Sequence, residues 1–287
     1  MTGATFIDVE GRRMRVRVDG ETAGPPILLL HGIARSLEDW DNQFVQYRDA
    51  GFRVIALDLP GSGFSERLPV KTGLAALAQS VVDTLDAVGE VRPVHVIGSS
   101  LGGACALQML TVAPGRVASL ILVGSAGFGS EVHPMLRLIA TPVIGSFVAR
   151  HPRRATARMA EETVYVDKSL VTDEAIDHAM RISRNPVSGT VFHETARSLT
   201  TVRGVRSQWR NELLAEASRY PRPTLILWGD GDRVLPSKHM EAARRVFPHA
   251  QVHLFEGVGH MPQLEAPDQF TRITVEFVRS HIARCDQ

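Results

Sequence analysis

An apolar run, Pro93-Val94-His95-Val96-Ile97, ends in Gly98-Ser99-Ser100-Leu101-Gly102 and opens into a helical pattern. A strand that turns directly into a helix through G-x-S-x-G puts its middle serine at the tip of the turn, at a strand's C-terminal end. Glycines two before and two after that serine let neighbouring backbone approach without a Cβ in the way. The turn is expected to strain Ser100 and lift its hydroxyl clear of the sheet. Glycine and serine are also common in loops that do no chemistry, so the rest of the chain has to decide between the two readings.

The surrounding pattern is that of a covered parallel sheet. Short apolar runs recur at residues 27–30, 52–57, 93–97, 120–123, 223–228 and 252–255. Strands this apolar suit a sheet buried on both faces. Helical patterns over 74–88, 100–112, 237–246 and 267–282 alternate with them, which predicts a doubly wound α/β sheet. Residues 5–10 and 13–19 alternate polar and apolar side chains around Gly11 and predict an antiparallel hairpin at a sheet edge. From Gly127 to Glu216 there are helix-like segments but no strand that fits the sheet. Such a stretch is too long for a connection and predicts an inserted helical cap. The expected division is a core of residues 1–126 and 216–287 with a cap of 127–215. Pro142 and Gly145 should break the first cap helix.

Composition narrows the function. With 32 basic and 31 acidic residues the net charge is +1, which gives no electrostatic reason to expect a nucleic-acid partner. No apolar run approaches the ~20 residues of a membrane span, and Met1 to Arg17 lacks a signal-peptide apolar region, so a cytoplasmic protein is expected. The two cysteines, Cys105 and Cys285, form no disulfide framework or metal-ligand spacing, and neither a metal nor another cofactor is expected. Cys105 reads as a buried small apolar residue.

A serine hydroxyl needs a base within hydrogen-bond reach, and the base needs a carboxylate to orient it. Two later apolar runs end in candidates, Gly229-Asp230-Gly231-Asp232 and Gly259-His260-Met261-Pro262. Ligands of open α/β sheets bind at this edge. With these segments, His31-Gly32 and Asp58-Leu59-Pro60-Gly61-Ser62-Gly63-Phe64-Ser65, the chain resembles an alpha/beta-hydrolase with a helical lid over nearly its whole length. The resemblance implies a mostly parallel eight-stranded sheet with helices on both faces. It also implies Ser100 as nucleophile, His260 as general base and Asp232, ahead of Asp230, as the orienting acid. The oxyanion donors would be the backbone N–H groups of Leu101 and Ile33.

Serine at the elbow disfavours branches that use a carboxylate nucleophile. The segment Val164 to Glu174 followed by Asn185-Pro186 resembles the lid of carbon–carbon bond hydrolases acting on meta-cleavage products. The chain departs from those enzymes at Ile33-Ala34-Arg35, Ser99 and Met261, and His178 stands near where their lid arginine would fall, with Arg181 and Arg184 close. The expected activity is therefore hydrolysis of small to medium, apolar carboxylic esters. Cleavage of a vinylogous diketone acid is the alternative, and a ligand receptor with vestigial hydrolysis is the third reading. The expected apolar pocket comprises Phe128, Leu138, Ile139, Val143, Phe147 and Met261. Other polar residues have plainer readings. His31 and Asp58 would fix their own loops, His95 would be a satisfied core histidine, and His253 would face solvent. Ser99 would point away from the site, Asp230 could pair with Arg233, and the basic run Arg150 to Arg154 with Arg158 would be a solvated face.

Overall fold

The computed structural model describes residues 3–282, so Cys285 lies outside the described residues. Strands β1 (Thr5–Val9) and β2 (Arg12–Asp19) pair antiparallel, Val9 opposite Arg12. The two residues between them, Glu10 and Gly11, both have positive φ, 52° and 76°. That is the backbone of a tight turn whose twist matches the flanking strands. β3 (Pro26–Leu30) follows, then α1 (Asp41–Asp49), β4 (Arg53–Leu57), α2 (Leu74–Ala87), β5 (Val94–Ser99), α3 (Leu101–Val112) and β6 (Val117–Val123).

Between β6 and the next sheet strand the chain forms α4 (Pro134–Ile139), α5 (Ile144–Arg150), α6 (Arg154–Val164), α7 (Asp173–Ser183) and α8 (Ser188–Leu199). A two-stranded ribbon of β7 (Thr200–Thr201) and β8 (Gly204–Val205) leads to α9 (Ser207–Ala217). The expected break falls between α4 and α5. Gly145 is needed there because a Cβ would sit 2.1 Å from the Ile139 carbonyl oxygen. The chain ends in β9 (Thr224–Gly229), α10 (His239–Val246), β10 (Gln251–Phe255), α11 (Pro262–Glu265) and α12 (Pro267–Ile282).

The main sheet has eight strands in the order β1-β2-β4-β3-β5-β6-β9-β10, parallel except at β1–β2 and β2–β4. Successive strand side chains point to opposite faces, and the two faces feed two separate cores. Leu28, Leu30, Val96, Leu120, Leu122 and Ile226 pack with α2 and α3. Ile27, Leu29, Ile97, Ile121, Val123 and Leu227 pack with α1 and α12. Each such side chain removed from water contributes ~1.5–3 kcal/mol. α2 shows why its residues form a helix. Leu74, Leu77, Ala78, Val81, Val82 and Leu85 recur at three- and four-residue spacing and are all buried. α3 lies between the sheet, α2 and α9 and is buried nearly all round, so its periodicity is weak. Burial within α3 pushes the Cys105 thiol up to about 12. α1 escaped the sequence reading because Asp41–Asp49 is mostly polar, with only Phe44 and Tyr47 as large buried side chains.

Candidate active site

Ser100 joins β5 to α3 with φ 54° and ψ −112°, a left-handed conformation rare for a side chain of this kind. Such strain persists only where the surroundings over-determine it. Here they do. The Ser100 N–H donates to Val123 O at 2.9 Å, and its carbonyl accepts from Ala126 N at 3.0 Å and from Gly103 N at 3.1 Å. The flanking glycines are obligatory. A Cβ on Gly98 would meet Gly102 O at 2.3 Å, and one on Gly102 would meet Leu30 O at 2.2 Å.

His260 follows β10 and Asp232 follows β9. His260 Nδ1 lies 2.7 Å from Asp232 Oδ2, with both side chains buried. A carboxylate can only accept, so Nδ1 is the donor in this bond. The other oxygen, Asp232 Oδ1, accepts from the N–H groups of Val234 and Leu235, each at 2.8 Å. Asp232 is thereby fixed by three hydrogen bonds. Asp230 serves a different purpose, with Oδ1 accepting from Gly257 N at 2.8 Å. It does not pair with Arg233, contrary to expectation, because its carboxylate is turned toward the backbone that follows β10.

The 123–126 turn joins the two halves of the site. It holds the Ser100 backbone, and a Cβ on Gly124 would lie 3.1 Å from His260 Nδ1 and 3.3 Å from Asp232 Oδ2. Ser100 Oγ makes no hydrogen bond to His260 or to any other described residue. Nucleophile–base bonds are often loose before substrate tightens them. The N–H groups of Ile33 and Leu101 are engaged by no other backbone group, and Leu101 is the first residue of α3. A helix N-terminus favours negative charge. Gly32 packs close by, where a Cβ would be 3.4 Å from that of Ser100.

The loop after β3 is braced from both sides. His31 Nδ1 donates to Gly32 O at 2.7 Å while Nε2 accepts from Leu59 N at 2.9 Å. Asp58, fully buried, accepts from Leu37 N, Phe64 N and Arg15. Both fix their loops, as expected. Ala34 has φ 57°, and Arg35 beside it grips Asp39 through Nε and Nη2 and Glu161 of α6 through Nη1 at 2.5 Å. The end of α6 also reaches His260. Val164 O accepts from His260 N at 2.8 Å, and the Glu265 carboxylate accepts from both Gly259 N and Val166 N. Sequence reading missed Arg35, Glu161 and Glu265, since nothing local marks partners so distant in the chain.

Two cavities meet at this loop, both walled by Ile33 and Leu101. One, of about 40 Å³, includes Ser100 and is lined by apolar groups of Leu136, Leu199, Trp209, Val234 and Leu235. The other, of about 50 Å³, lies between the Gly61-Ser62 loop and α8. The expected pocket residues line neither. Leu138, Val143 and Phe147 are exposed, and Phe147 stacks on His151. Ile139 is buried against Ala149 and Ala196, and Phe128 packs edge-on to Phe247 in the core. Met261 is buried at the start of α11. Apolar periodicity in α4 and α5 marked apolar surface without saying which way it faces.

The remaining residues fall as their chemistry dictates. His95 bonds Ser119 Oγ at 2.8 Å, and burial pushes it down to about 4. Ser99 is buried with its hydroxyl unpartnered. His253 is half-buried beside Gln269. In the basic run, Arg154 pairs with Asp173 and Asp177, and Arg158 pairs with Asp173, all exposed. Arg181 donates to His178 Nδ1 at 3.2 Å. No group of three or more His, Cys, Asp or Glu side chains that could hold a metal occurs among the described residues. No helix among them is long and apolar enough to cross a membrane.

The family model described as alpha/beta hydrolase fold matches residues 25–267. The chain belongs to that family. Within it, the chain is 33% identical over 269 residues to the dihydrolipoyllysine-residue acetyltransferase component of the acetoin cleaving system of Cupriavidus necator, covering 93% of this chain and 67% of the relative. It is 29% identical to the 2-hydroxy-6-oxononadienedioate/2-hydroxy-6-oxononatrienedioate hydrolase of Comamonas testosteroni, covering 96% of each. The meta-cleavage product hydrolase of Pseudomonas fluorescens IP01 superposes with a TM-score of 0.81 at 26% identity, covering 96% of this chain and 97% of that one.

Proposed function

We propose that the protein is a serine hydrolase that cleaves carboxylic esters through an acyl-enzyme on Ser100. The observation that carries this reading is the buried His260–Asp232 pair, which lies against the same 123–126 turn that holds the strained Ser100. In the proposed reaction His260 Nε2 takes the Ser100 proton as Oγ attacks the ester carbonyl. Asp232 stabilises the imidazolium that forms. The Ile33 and Leu101 N–H groups, free of other backbone partners, receive the developing oxyanion. Each such donor contributes about 3 kcal/mol to the transition state. Collapse breaks the bond to the alcohol oxygen, which takes the proton from His260. Water, deprotonated by the same nitrogen, then releases the acid and restores Ser100.

The segment α4–α9 acts as a cap in this proposal. Ligand pockets usually have ~300–1,000 Å³, whereas the two cavities have about 40 and 50 Å³. An aromatic ester therefore enters only if the cap shifts. The second reading, cleavage of a carbon–carbon bond in a meta-cleavage type acid, is favoured by the relatives named above. Against it, neither cavity is lined by lysine or arginine to meet a substrate carboxylate. A fluorophosphonate probe followed by peptide mapping tests the nucleophile. Turnover of a naphthyl ester beside a vinylogous diketone acid separates the two bond types. Labelling that survives Ser100→Ala would reject the assignment, and turnover of the diketone acid alone would favour the second reading.

A further inference from the structure

Trp209, near the start of α9, borders two spaces at once. With Leu199 it walls the chamber of about 40 Å³ that includes Ser100, and the same two residues wall an open groove of about 390 Å³. The groove is bounded by the start of α2, the end of α3 and α9, with Ala75, Thr111 and Glu212 on its sides. Trp209 is half-buried, and its Nε1 donates to Leu199 O at 2.9 Å. The opposite edge of the indole turns to Gly127, where a Cβ would lie 3.6 Å from Cζ3 and 3.7 Å from Cη2. Gly127 adjoins Ala126, whose N–H holds the Ser100 carbonyl. α9 packs on α3, and its Leu213 and Ala217 are buried in the core, so the indole stays with the sheet when the rest of the cap shifts.

We infer that the Trp209 indole sets the acyl chain length this site accepts, as the end wall that closes the Ser100 chamber off from the groove. The inference rests on the ester-hydrolase reading. In that reading the acyl group stays bonded to Ser100 until water releases it, so the chamber that includes Ser100 holds it while the alcohol departs. Leu136, Val205 and Leu235 give that chamber an apolar lining suited to an aliphatic chain. Its volume of about 40 Å³ takes roughly three water-sized groups, which suits a butyryl chain. An octanoyl chain is four methylenes longer, and forcing surplus groups into a packed space is destabilising. Removing the indole would join the chamber to the groove, where each methylene withdrawn from water stabilises the bound chain.

The test compares kcat/KM for 1-naphthyl butyrate and 1-naphthyl octanoate, both below micellar concentrations. The proteins are the wild-type chain, Trp209→Leu, Trp209→Ala, and Trp209→Ala combined with Ala75→Trp. Overpacking corresponds to a roughly five- to 150-fold penalty, so the wild type should prefer the butyrate by at least about fivefold. In Trp209→Ala each methylene that enters the groove is worth about fourfold, which should put the octanoate about tenfold ahead. Trp209→Leu, a milder truncation that keeps an apolar side chain, should move the ratio in the same direction. Ala75→Trp refills the groove from the α2 side and should return the preference to the butyrate. Each ratio is taken within one enzyme, so partial loss of folded protein cancels. Equal hydrolysis of both esters by the wild type, or a ratio that neither Trp209 variant moves toward the octanoate, overturns the inference while sparing the ester reading. An octanoate gain that Ala75→Trp leaves intact overturns the groove as its source. Hydrolysis of neither ester by any of the four proteins overturns the ester reading and the inference with it.

Discussion

Arg35 is the side chain whose removal should do most damage without touching the proposed reacting groups. Its guanidinium binds Asp39 through two nitrogens and Glu161 through the third, tying the loop that carries Ile33 to helix α6. The Arg35 side chain is 21% exposed, but those of Asp39 and Glu161 are only 6% and 4% exposed. Arg35→Met keeps most of the stem's volume and leaves two nearly buried carboxylates facing a site with no cation. Breaking a buried pair from one side costs about 3–5 kcal/mol, mostly from the stranded charge. With ~2.1 cal/mol/K of unfolding entropy per residue, a chain of 287 residues should lose about 5–8 °C in Tm. The Ile33 N–H is two residues away from this anchor. Loosening it should lower kcat by at least about tenfold, part of the roughly hundredfold or more attached to an oxyanion donor. The informative comparison is the triple variant Arg35→Met, Asp39→Asn, Glu161→Gln. It removes the stranded charges and should recover most of the Tm while kcat stays low. Thermal unfolding followed by circular dichroism and steady-state hydrolysis of 1-naphthyl butyrate read the two effects separately. A Tm loss under 2 °C for Arg35→Met, or recovery of kcat along with stability in the triple variant, would refute the reasoning.

Three other expectations are simpler. Ser100→Ala should lower turnover at least about a thousandfold with an unaltered far-ultraviolet spectrum, and residual turnover near wild type would reject Ser100 as nucleophile. Asp232→Asn should cost on the order of a thousandfold or more in kcat by disturbing the His260 tautomer, whereas Asp230→Asn, remote from that ring, should cost less than about threefold. Equal losses would count against the geometry. His95, pushed down to about 4 chiefly by burial and secondarily by His281, stays neutral in the fold while the unfolded chain takes up a proton below about pH 6.5. The unfolded state then binds more protons, so stability falls as pH drops from about 6.5 to 4, by up to about 3 kcal/mol, and this contribution levels off below that. Denaturant titrations across that range should show a flatter dependence for His95→Gln, and an unchanged slope would assign the effect elsewhere.

Much of this site was legible because its signals are local. Gly98 and Gly102 flank Ser100 because backbone atoms lie within about a bond length or two of where a Cβ would be, a constraint written into five adjacent residues. α12 spans Pro267–Ile282 as the periodicity predicts, since one amphipathic face against one core leaves a clean pattern. The choice between Asp230 and Asp232 was open at the level of residue types. It is expressed in space by which carboxylate faces the His260 ring and which faces Gly257. The pocket was misread for a related reason. Val143 and Phe147 carry the same apolar signal as Leu199 and Trp209, yet the first pair faces solvent and the second lines the cavity beside Ser100.

The order of residues alone determined the sheet's alternation, the strained turn and the three candidate side chains at strand ends, because each depends on neighbours a few positions apart. Only the folded chain decided what surrounds them. Arg35 meets Glu161 across 126 positions, and Ser62 and Ser188 come to line one small chamber. Such meetings arise from how the α4–α9 segment packs over the sheet, and packing between distant surfaces leaves no periodic trace in the chain that forms them.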